Sequence, residues 1–512
     1  MYLHSRIAAI LVTLTLLAVC GCQEEPDPTA ATPAPKAAKP RPAKEAAVAV
    51  AKNEPDNSPE SLARRVVERR AIEAVTWGMP AVNYDLMYQA MVRETGGAFN
   101  EVVYWSRLPD WKNQTLTPNP DAIYLMPFFN TQDGPIVIEI PPADEGVING
   151  TIMDAWQMPL EDVGPAGVDK GAGGKYLVLP PGYKGQVPKG YIALPSATFE
   201  GYALLRSILK SGSTADMANA TAYGKRIRLY PLAEAGNPPG TSYRDAIDVV
   251  FDATIPYDWR YFESLDRFVQ REVWLERDKA MIDTLRSIGI EKGKPFIPDE
   301  ATKTTLDTAA GEAHALLESR YEALFSQPFY DGSRWALPAA PGYLKAASAG
   351  YVDPDTYPVD ERGVVFSFAF FTPKHHGEGQ FYLMTIKDKD GRDFSGATTY
   401  RLTVPANAPV TQYWSATAYD RKTHALIRNL RWSSRSSQSR GLQVNPDGSV
   451  DIWFGPTAPP DKESNWVPTD ANGRFEVLFR LYGPQQSVFD KTWKLPDLEK
   501  VNSNGQPTGS SR

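Results

Sequence analysis

Two sets of short β-type runs, held apart by a long stretch of helical periodicity, constrain the fold of this chain most strongly. The first set lies at 136–140, 150–153, 175–179 and 191–194. The second lies at 364–371, 381–386, 398–404, 411–419, 450–454 and 475–482. Gly, Pro, Asn and Asp separate the runs, as turns require, and 388–391 and 445–448 read as hairpin turns. Between the sets, helical spacing returns at 198–209 and continues to about residue 323. It is strongest over 257–288, where Phe262, Leu265, Phe268, Val269, Val273, Leu275, Met281, Ile282 and Leu285 form a broad apolar face that Gly289 ends. Upstream, Ser58-Pro59 is a helix start, with Leu62, Val66, Val67 and Ile72 opposite Arg64, Arg65 and Arg69. A further helical run follows Pro80 over 82–93 and stops at Gly96-Gly97.

The pattern predicts an α+β fold. A small N-terminal β-rich domain occupies 60–230, a mainly helical linking region 231–345, and a C-terminal jelly-roll-like β-sandwich 346–500, with a frayed tail over 501–512. The chain has 512 residues, 42% of them hydrophobic, enough for several sizeable cores. A formal net charge of −7 argues against non-specific nucleic-acid binding, which needs a basic surface to displace counterions from phosphates.

The front of the chain is of another kind. Arg6 and the apolar run 7–19, too short to span a bilayer comfortably, read as an export signal. Both cysteines of the chain, Cys20 and Cys22, follow it, so the body has no cysteine framework for disulfides or metal. Gly21 before Cys22 fits a lipoprotein signal spanning 1–21 in which Cys22 is lipidated; Cys20 would need the bulkier Val19 in that place. Gln23 at the next position lacks the Asp that retains bacterial lipoproteins at the inner membrane, so the expected location is the outer membrane, facing the periplasm or exterior. The segment 22–59 is Ala/Pro/Lys/Glu-rich without an aromatic residue and reads as a disordered tether.

Among motifs, the absences narrow the field. There is no Gly-x-Ser-x-Gly elbow, no phosphate loop and no dinucleotide-binding Gly-x-Gly-x-x-Gly unit. His375-His376-x-Glu378 has metal-ligand residue types, but its Pro and Gly neighbours read as an exposed turn, and no metal is assigned. His314 and His424 read as structural. Arg428, Arg431, Arg435 and Arg440 surround a serine-rich run and could clamp an acidic polysaccharide or phosphate, or simply be solvated. Asp121, in Asn119-Pro-Asp-Ala-Ile-Tyr124, and Asp154, in Asp154-Ala-Trp156, could form an acid–base pair across a pocket or cap turns through their own backbone. Trp414, Tyr419 and Trp466 could stack on a flat ligand or pack a core.

These segments resemble a pair of bacterial domains, the domains of unknown function 1254 and 1214. The first is matched by Asn119–Tyr124, by Asp154-Ala-Trp156, by Leu179-Pro-Pro-Gly-Tyr-Lys-Gly185 and by Pro188-Lys-Gly190. The second is matched by Asp388-Lys-Asp-Gly391, Tyr400-Arg-Leu-Thr-Val-Pro405, Tyr413–Asp420, Asn465-Trp466 and Arg480-Leu-Tyr-Gly-Pro484. The resemblance implies an exported protein with a C-terminal jelly roll and no agreed activity. Here Gln157-Met158 stand where one common version of the pattern has Thr-Asn, and Gly164–Asp169 lacks that version's arginine.

The expectation is therefore an outer-membrane lipoprotein holding a small organic or saccharide ligand. The candidate binding residues are Asn119, Tyr124, Trp156, Trp414, Tyr419 and Trp466, with Asp121 and Asp154 as the acid–base pair should the protein be a hydrolase or lyase. A structural envelope protein is the third alternative. No cofactor is implied.

Overall fold

The computed structural model describes residues 56–369, 373–375, 379–502 and 505–506. The signal, Cys20, Cys22, nearly all of the tether, His376, Glu378 and most of the tail lie outside the described residues. Residues 56–512 form one compact unit of mixed α+β architecture, as the two sets of β-type runs predict.

The N-terminal β body has two main sheets, beside a two-stranded pairing of Asn113–Gln114 with Phe251–Asp252. The larger, six-stranded, runs in the order Tyr243–Asp245, Glu101–Tyr104, Ile123–Asn130, Glu200–Ser207, Ile148–Asp154, Pro159–Val163. Its neighbours pair antiparallel except the first two. The smaller has Arg228–Pro231, Ile136–Ile140, Gly174–Leu179 and Tyr191–Pro195. Side chains alternate across the larger sheet. Ile123, Leu125 and Phe129 join the core that also holds Ile136, Ile138, Tyr176 and Val178 of the smaller sheet, whereas Tyr124, Met126 and Phe128 join the helical core on the other side.

That helical layer is built on Pro59–Thr95, which packs against Arg260–Arg271, Glu300–Leu324 and Val359–Phe368. Ser58 caps its start by accepting from Ser61 N, and Gly96 ends it in the left-handed conformation. The helix runs unbroken through Pro80, where two helices are expected from the sequence. Proline cannot donate to the carbonyl four residues back, here Thr76. Gly363 of the facing helix meets that carbonyl, and a Cβ at 363 would lie 2.8 Å from it.

Three further expectations are corrected. The 198–209 segment is not helical; Glu200–Ser207 is a strand in the interior of the larger sheet, buried on both faces and therefore without the alternation that marks a half-exposed strand. The strand expected over 364–371 is not found over 364–368, which end the helix Val359–Phe368; Val364 and Val365 are buried there, and tertiary burial overrides local preference, while 370 and 371 lie outside the described residues. The long apolar face over 257–288 is divided: Arg260–Arg271 stops at extended Glu272 and Met281–Ser287 restarts it.

The C-terminal body is a sandwich of two four-stranded sheets. One runs Gln380–Thr385, Phe475–Pro484, Val410–Asp420, Ser434–Ser436; the other runs Trp466–Pro468, Val450–Gly455, Thr399–Val404, Glu499–Val501. Phe475, Val477, Phe479 and Leu481 point into the sandwich core. Leu478 and Tyr482, between them, belong to clusters on the opposite face, so this strand too is buried on both sides. Among the described residues no helix is long and apolar enough to cross a membrane.

Candidate functional site

A cavity of about 250 Å³ opens where that second face meets the helices and the N-terminal sheet. Most of its wall is apolar: Leu337, Ala339 and Leu344, then Val365 and Phe368 of the helix Val359–Phe368, and Met384, Leu478 and Phe489. Its polar lining is Thr117, Arg206, Tyr343, Gln380, Tyr382 and Arg480. Arg206 and Arg480 come from strands of the two different β bodies, and both guanidiniums are almost wholly buried.

Arg480 reaches from the sandwich into the N-terminal domain. Its Nη1 donates to Thr417 Oγ1 at 3.0 Å, and its Nη2 donates to the carbonyl oxygens of Thr117 at 2.8 Å and Pro118 at 3.2 Å and to Tyr419 Oη. Arg206 Nε donates to Tyr124 Oη at 3.3 Å, and its guanidinium lies 5.1 Å from that ring's centre. Burial works against both charges. The oxygens of Tyr419, Tyr382, Tyr482 and Tyr124 around Arg480, and of Tyr124, Tyr482 and Tyr382 around Arg206, outweigh it and hold both pKa values above the ordinary arginine value. Tyr382 Oη lies 3.4 Å from Tyr482 Oη.

None of the candidate residues singled out in the sequence lines this cavity. Asn119 is fully buried. Its backbone N donates to Tyr124 Oη at 2.7 Å, and its Nδ2 donates to Tyr413 Oη at 2.7 Å and Tyr482 Oη at 3.0 Å, tying the two domains together. Tyr419 Oη donates to the Pro118 carbonyl at 2.6 Å. Asn119, Tyr124 and Tyr419 thus hold the two arginines and the turn between them.

The carboxylates are separated in role. Asp154 accepts from the backbone N of Trp156 and of Met158, both at 2.9 Å, which caps its own turn. Burial raises its pKa to about 6. Asp121 Oδ2 accepts from Ser434 Oγ at 2.5 Å and borders a different groove, with Arg431, Trp432 and Arg435, to which Asp154 does not contribute. Burial raises the Asp121 pKa as well. The pairing of Asp121 with Asp154 across one pocket is not the arrangement found.

The tryptophans pack. Trp156 meets Trp77 at 4.8 Å and Phe268 at 4.9 Å between ring centres, and its carbonyl accepts from Arg362 Nη2 at 2.5 Å. Trp414 stacks on Phe479 inside the sandwich. Trp466 Nε1 donates to the Gly455 carbonyl at 2.8 Å. Gln157 donates to the Pro80 carbonyl at 3.0 Å and accepts from Tyr202 Oη at 2.6 Å, so it serves the helix–sheet contact. His375 Nε2 lies 2.9 Å from Glu161 Oε1, and among the described residues no cluster of His, Cys, Asp and Glu could hold a metal ion.

Arg206, Arg480, Gln380 and Tyr382 are missing from the sequence-derived candidates. A signal existed for the arginines. Each sits within an apolar run, Tyr202-Ala-Leu-Leu-Arg206 and Phe475-Glu-Val-Leu-Phe-Arg480-Leu-Tyr, and a buried arginine needs partners that the run itself does not contain.

Comparison with known proteins agrees with this architecture. Residues 99–231 match the protein of unknown function family DUF1254, and residues 379–486 match the protein of unknown function family DUF1214. The crystal structure of a Vibrio parahaemolyticus protein aligns with a TM-score of 0.53 at 17% identity, over 85% of this chain and 100% of that one, a likeness of fold. An uncharacterised protein from Burkholderia cenocepacia aligns at a TM-score of 0.40 and 10% identity, over 87% of this chain and 96% of that one. No curated protein matches the chain.

Proposed function

We propose that this chain, which pairs a DUF1254 with a DUF1214 domain, is a cell-envelope binding protein that encloses a small organic molecule between its two β bodies. The carrying observation is the cavity of about 250 Å³, whose wall is mostly apolar and whose few polar groups converge from both domains. That combination of apolar enclosure and a small number of fixed polar groups is the usual composition of a small-molecule site. The volume is below the roughly 300–1,000 Å³ of sites for drug-sized ligands, so the occupant is small. Aliphatic walls favour an organic molecule over a free saccharide, which would need more hydrogen-bonding groups than Thr117, Tyr343, Gln380 and Tyr382 offer beside the arginines. The turn-capping role of Asp154 and the separate groove at Asp121 leave the hydrolase or lyase alternative without a paired acid and base.

The proposal includes attachment to the outer membrane through lipidated Cys22, with 23–59 as the tether. Support for it is the apolar run before Gly21-Cys22. Mass spectrometry of the mature N-terminus tests it: an acylated Cys22 is expected, and an unmodified N-terminus beyond Cys22 refutes it.

For the cavity, the test is thermal unfolding of wild type and Ala339→Trp against a panel of small organic compounds and neutral sugars. Ala339 lines the cavity and is only partly buried, so a large ring there fills the site without entering a closed core. Organic compounds are expected to raise the melting temperature of wild type but not of Ala339→Trp; ligand at 100 times Kd contributes about 2.7 kcal/mol. Equal shifts in both proteins would refute the site.

A further inference from the structure

Among the described residues Arg480 has no counter-ion. Its four hydrogen-bond acceptors, Thr417 Oγ1, the Thr117 and Pro118 carbonyls and Tyr419 Oη, are all uncharged. Among the described residues no carboxylate lies within ion-pair distance of it, in contrast to Arg421, whose neighbours Glu318, Glu322 and Glu476 lie at 2.6, 3.1 and 3.8 Å. Asp121 feels the Arg480 charge but is held by Ser434 and turned to the groove of Arg431 and Arg435.

A guanidinium has five N–H groups, one on Nε and two on each terminal nitrogen. The partners of Arg480 use one of the two on Nη1 and those on Nη2, so the Nε donor and one Nη1 donor meet no acceptor among the described residues. Arg480 is nevertheless 2% exposed and lines the cavity. A buried guanidinium whose partners are all uncharged gains a charge-assisted bond when an anion binds beside it. Arg206, the second buried guanidinium, stands at the same polar end, because Tyr124, Tyr382 and Tyr482 interact with both arginines. Apart from Thr117, Tyr343, Gln380 and Tyr382, the remaining wall, from Leu337 and Leu344 to Val365 and Phe489, is apolar.

We infer that the ligand is an amphipathic organic anion, with a singly charged head such as a carboxylate at Arg480 and an aliphatic body lying against Leu337, Leu344, Val365 and Phe489. The inference rests on the cavity being the binding site. A carboxylate oxygen can accept from the unengaged Nε–H or from the second Nη1 N–H without displacing a bond that Arg480 already makes. The single head follows from the wall: a second charge on the body would be buried against aliphatic carbon with no partner.

The test uses the mature chain and three probes with the same ten-carbon body: decanoate, decan-1-ol and decyltrimethylammonium. Binding is read by isothermal titration below micelle-forming concentrations, with Ala339→Trp as the blocked cavity. Wild type should bind decanoate at least tenfold more tightly than decan-1-ol and should not bind the ammonium compound measurably. Ala339→Trp should lose decanoate binding. In Arg480→Gln that retains cooperative unfolding, decanoate and decan-1-ol should come within about twofold of each other. The wild-type ratio carries the test where Arg480→Gln does not fold. Decan-1-ol binding as tightly as decanoate in wild type, with both blocked in Ala339→Trp, overturns the anionic ligand and leaves the cavity as a binding site. Decanoate binding unchanged in Ala339→Trp, or no binding of any probe, overturns both.

Discussion

Arg480 Nη2 of the C-terminal sandwich donates to the Thr117 carbonyl oxygen of the N-terminal domain at 2.8 Å. The contact closes the turn on which Asn119 stands, and Asn119 returns the link by donating to Tyr413 and Tyr482. The two β bodies are therefore joined by buried polar bonds rather than by apolar packing alone, and the cavity sits beside that joint.

Removing the guanidinium leaves the Thr117 carbonyl without its donor and takes one of two donors from the Pro118 carbonyl, both at a buried joint. Arg480→Met is expected to lower unfolding stability by about 3 kcal/mol, the scale for breaking a buried charged contact. Urea unfolding measures it. A change within about 0.5 kcal/mol, the range of ordinary surface substitutions, would show that the joint is not held by Arg480.

His424 gives the molecule a pH-dependent clasp. Its Nδ1 lies 2.8 Å from Glu476 Oε1 and its Nε2 3.0 Å from Glu318 Oε1. Burial opposes the imidazolium, but the Glu476 and Glu318 carboxylates outweigh it and raise the pKa from 6.5 to about 9. A histidine raised in the folded state stabilises fully below its unfolded pKa and loses that contribution as pH rises through the folded one. The melting temperature should fall between pH 7 and about pH 9.5 in wild type, and fall less in His424→Gln. Parallel pH profiles for the two proteins would contradict the clasp.

Glu272 shifts stability with pH in the same direction, over a lower interval. Its carboxylate accepts from Phe199 N at 2.8 Å and Glu200 N at 2.7 Å. Burial, with the nearby charges of Glu200 and Asp154, raises its pKa from 4.5 to about 8 even though those backbone donors oppose the rise. A carboxyl raised in the folded state binds its proton more tightly there, so folding loses stability as pH climbs from 4.5 through 8. Glu272→Gln should flatten the melting profile over that interval. A Glu272→Gln profile as steep as wild type would contradict the shift.

Gly363 is the contact that lets the helix Pro59–Thr95 pass through Pro80 against its neighbour. A Cβ at 363 would stand 2.8 Å from the Thr76 carbonyl oxygen and 2.9 Å from Thr76 Cγ2. Gly363→Ala should therefore destabilise by about 1–3 kcal/mol despite alanine's better helix propensity. Chemical unfolding decides it, and a stabilised Gly363→Ala would show that the helices separate freely.

Much of the architecture was legible in the sequence because alternation and turn residues report directly on half-exposed strands. Strands at 136–140 and 450–454 stand where period-two runs end in Gly or Pro. The signal failed where a segment is buried on every side. Glu200–Ser207 reads as helical and the end of the helix Val359–Phe368 as extended for the same reason, since neither Glu200–Ser207 nor residues 362–368 have a solvent face to set a period. The site was hidden further. Asn119, Tyr124 and Tyr419 stood out by motif, yet they support the arginines and do not line the cavity, and the arginines were masked by the apolar runs around them. What joins Arg206 to Arg480 is the docking of two domains, and no local spacing encodes it.

The most direct measurement is a crystal structure of the protein soaked with the compound that most raises its melting temperature. The account predicts density for that compound in the cavity bounded by Arg480, Leu337 and Val365, with its polar group at Arg480. Density confined to the groove at Trp432, with an empty cavity under saturating compound, would contradict it.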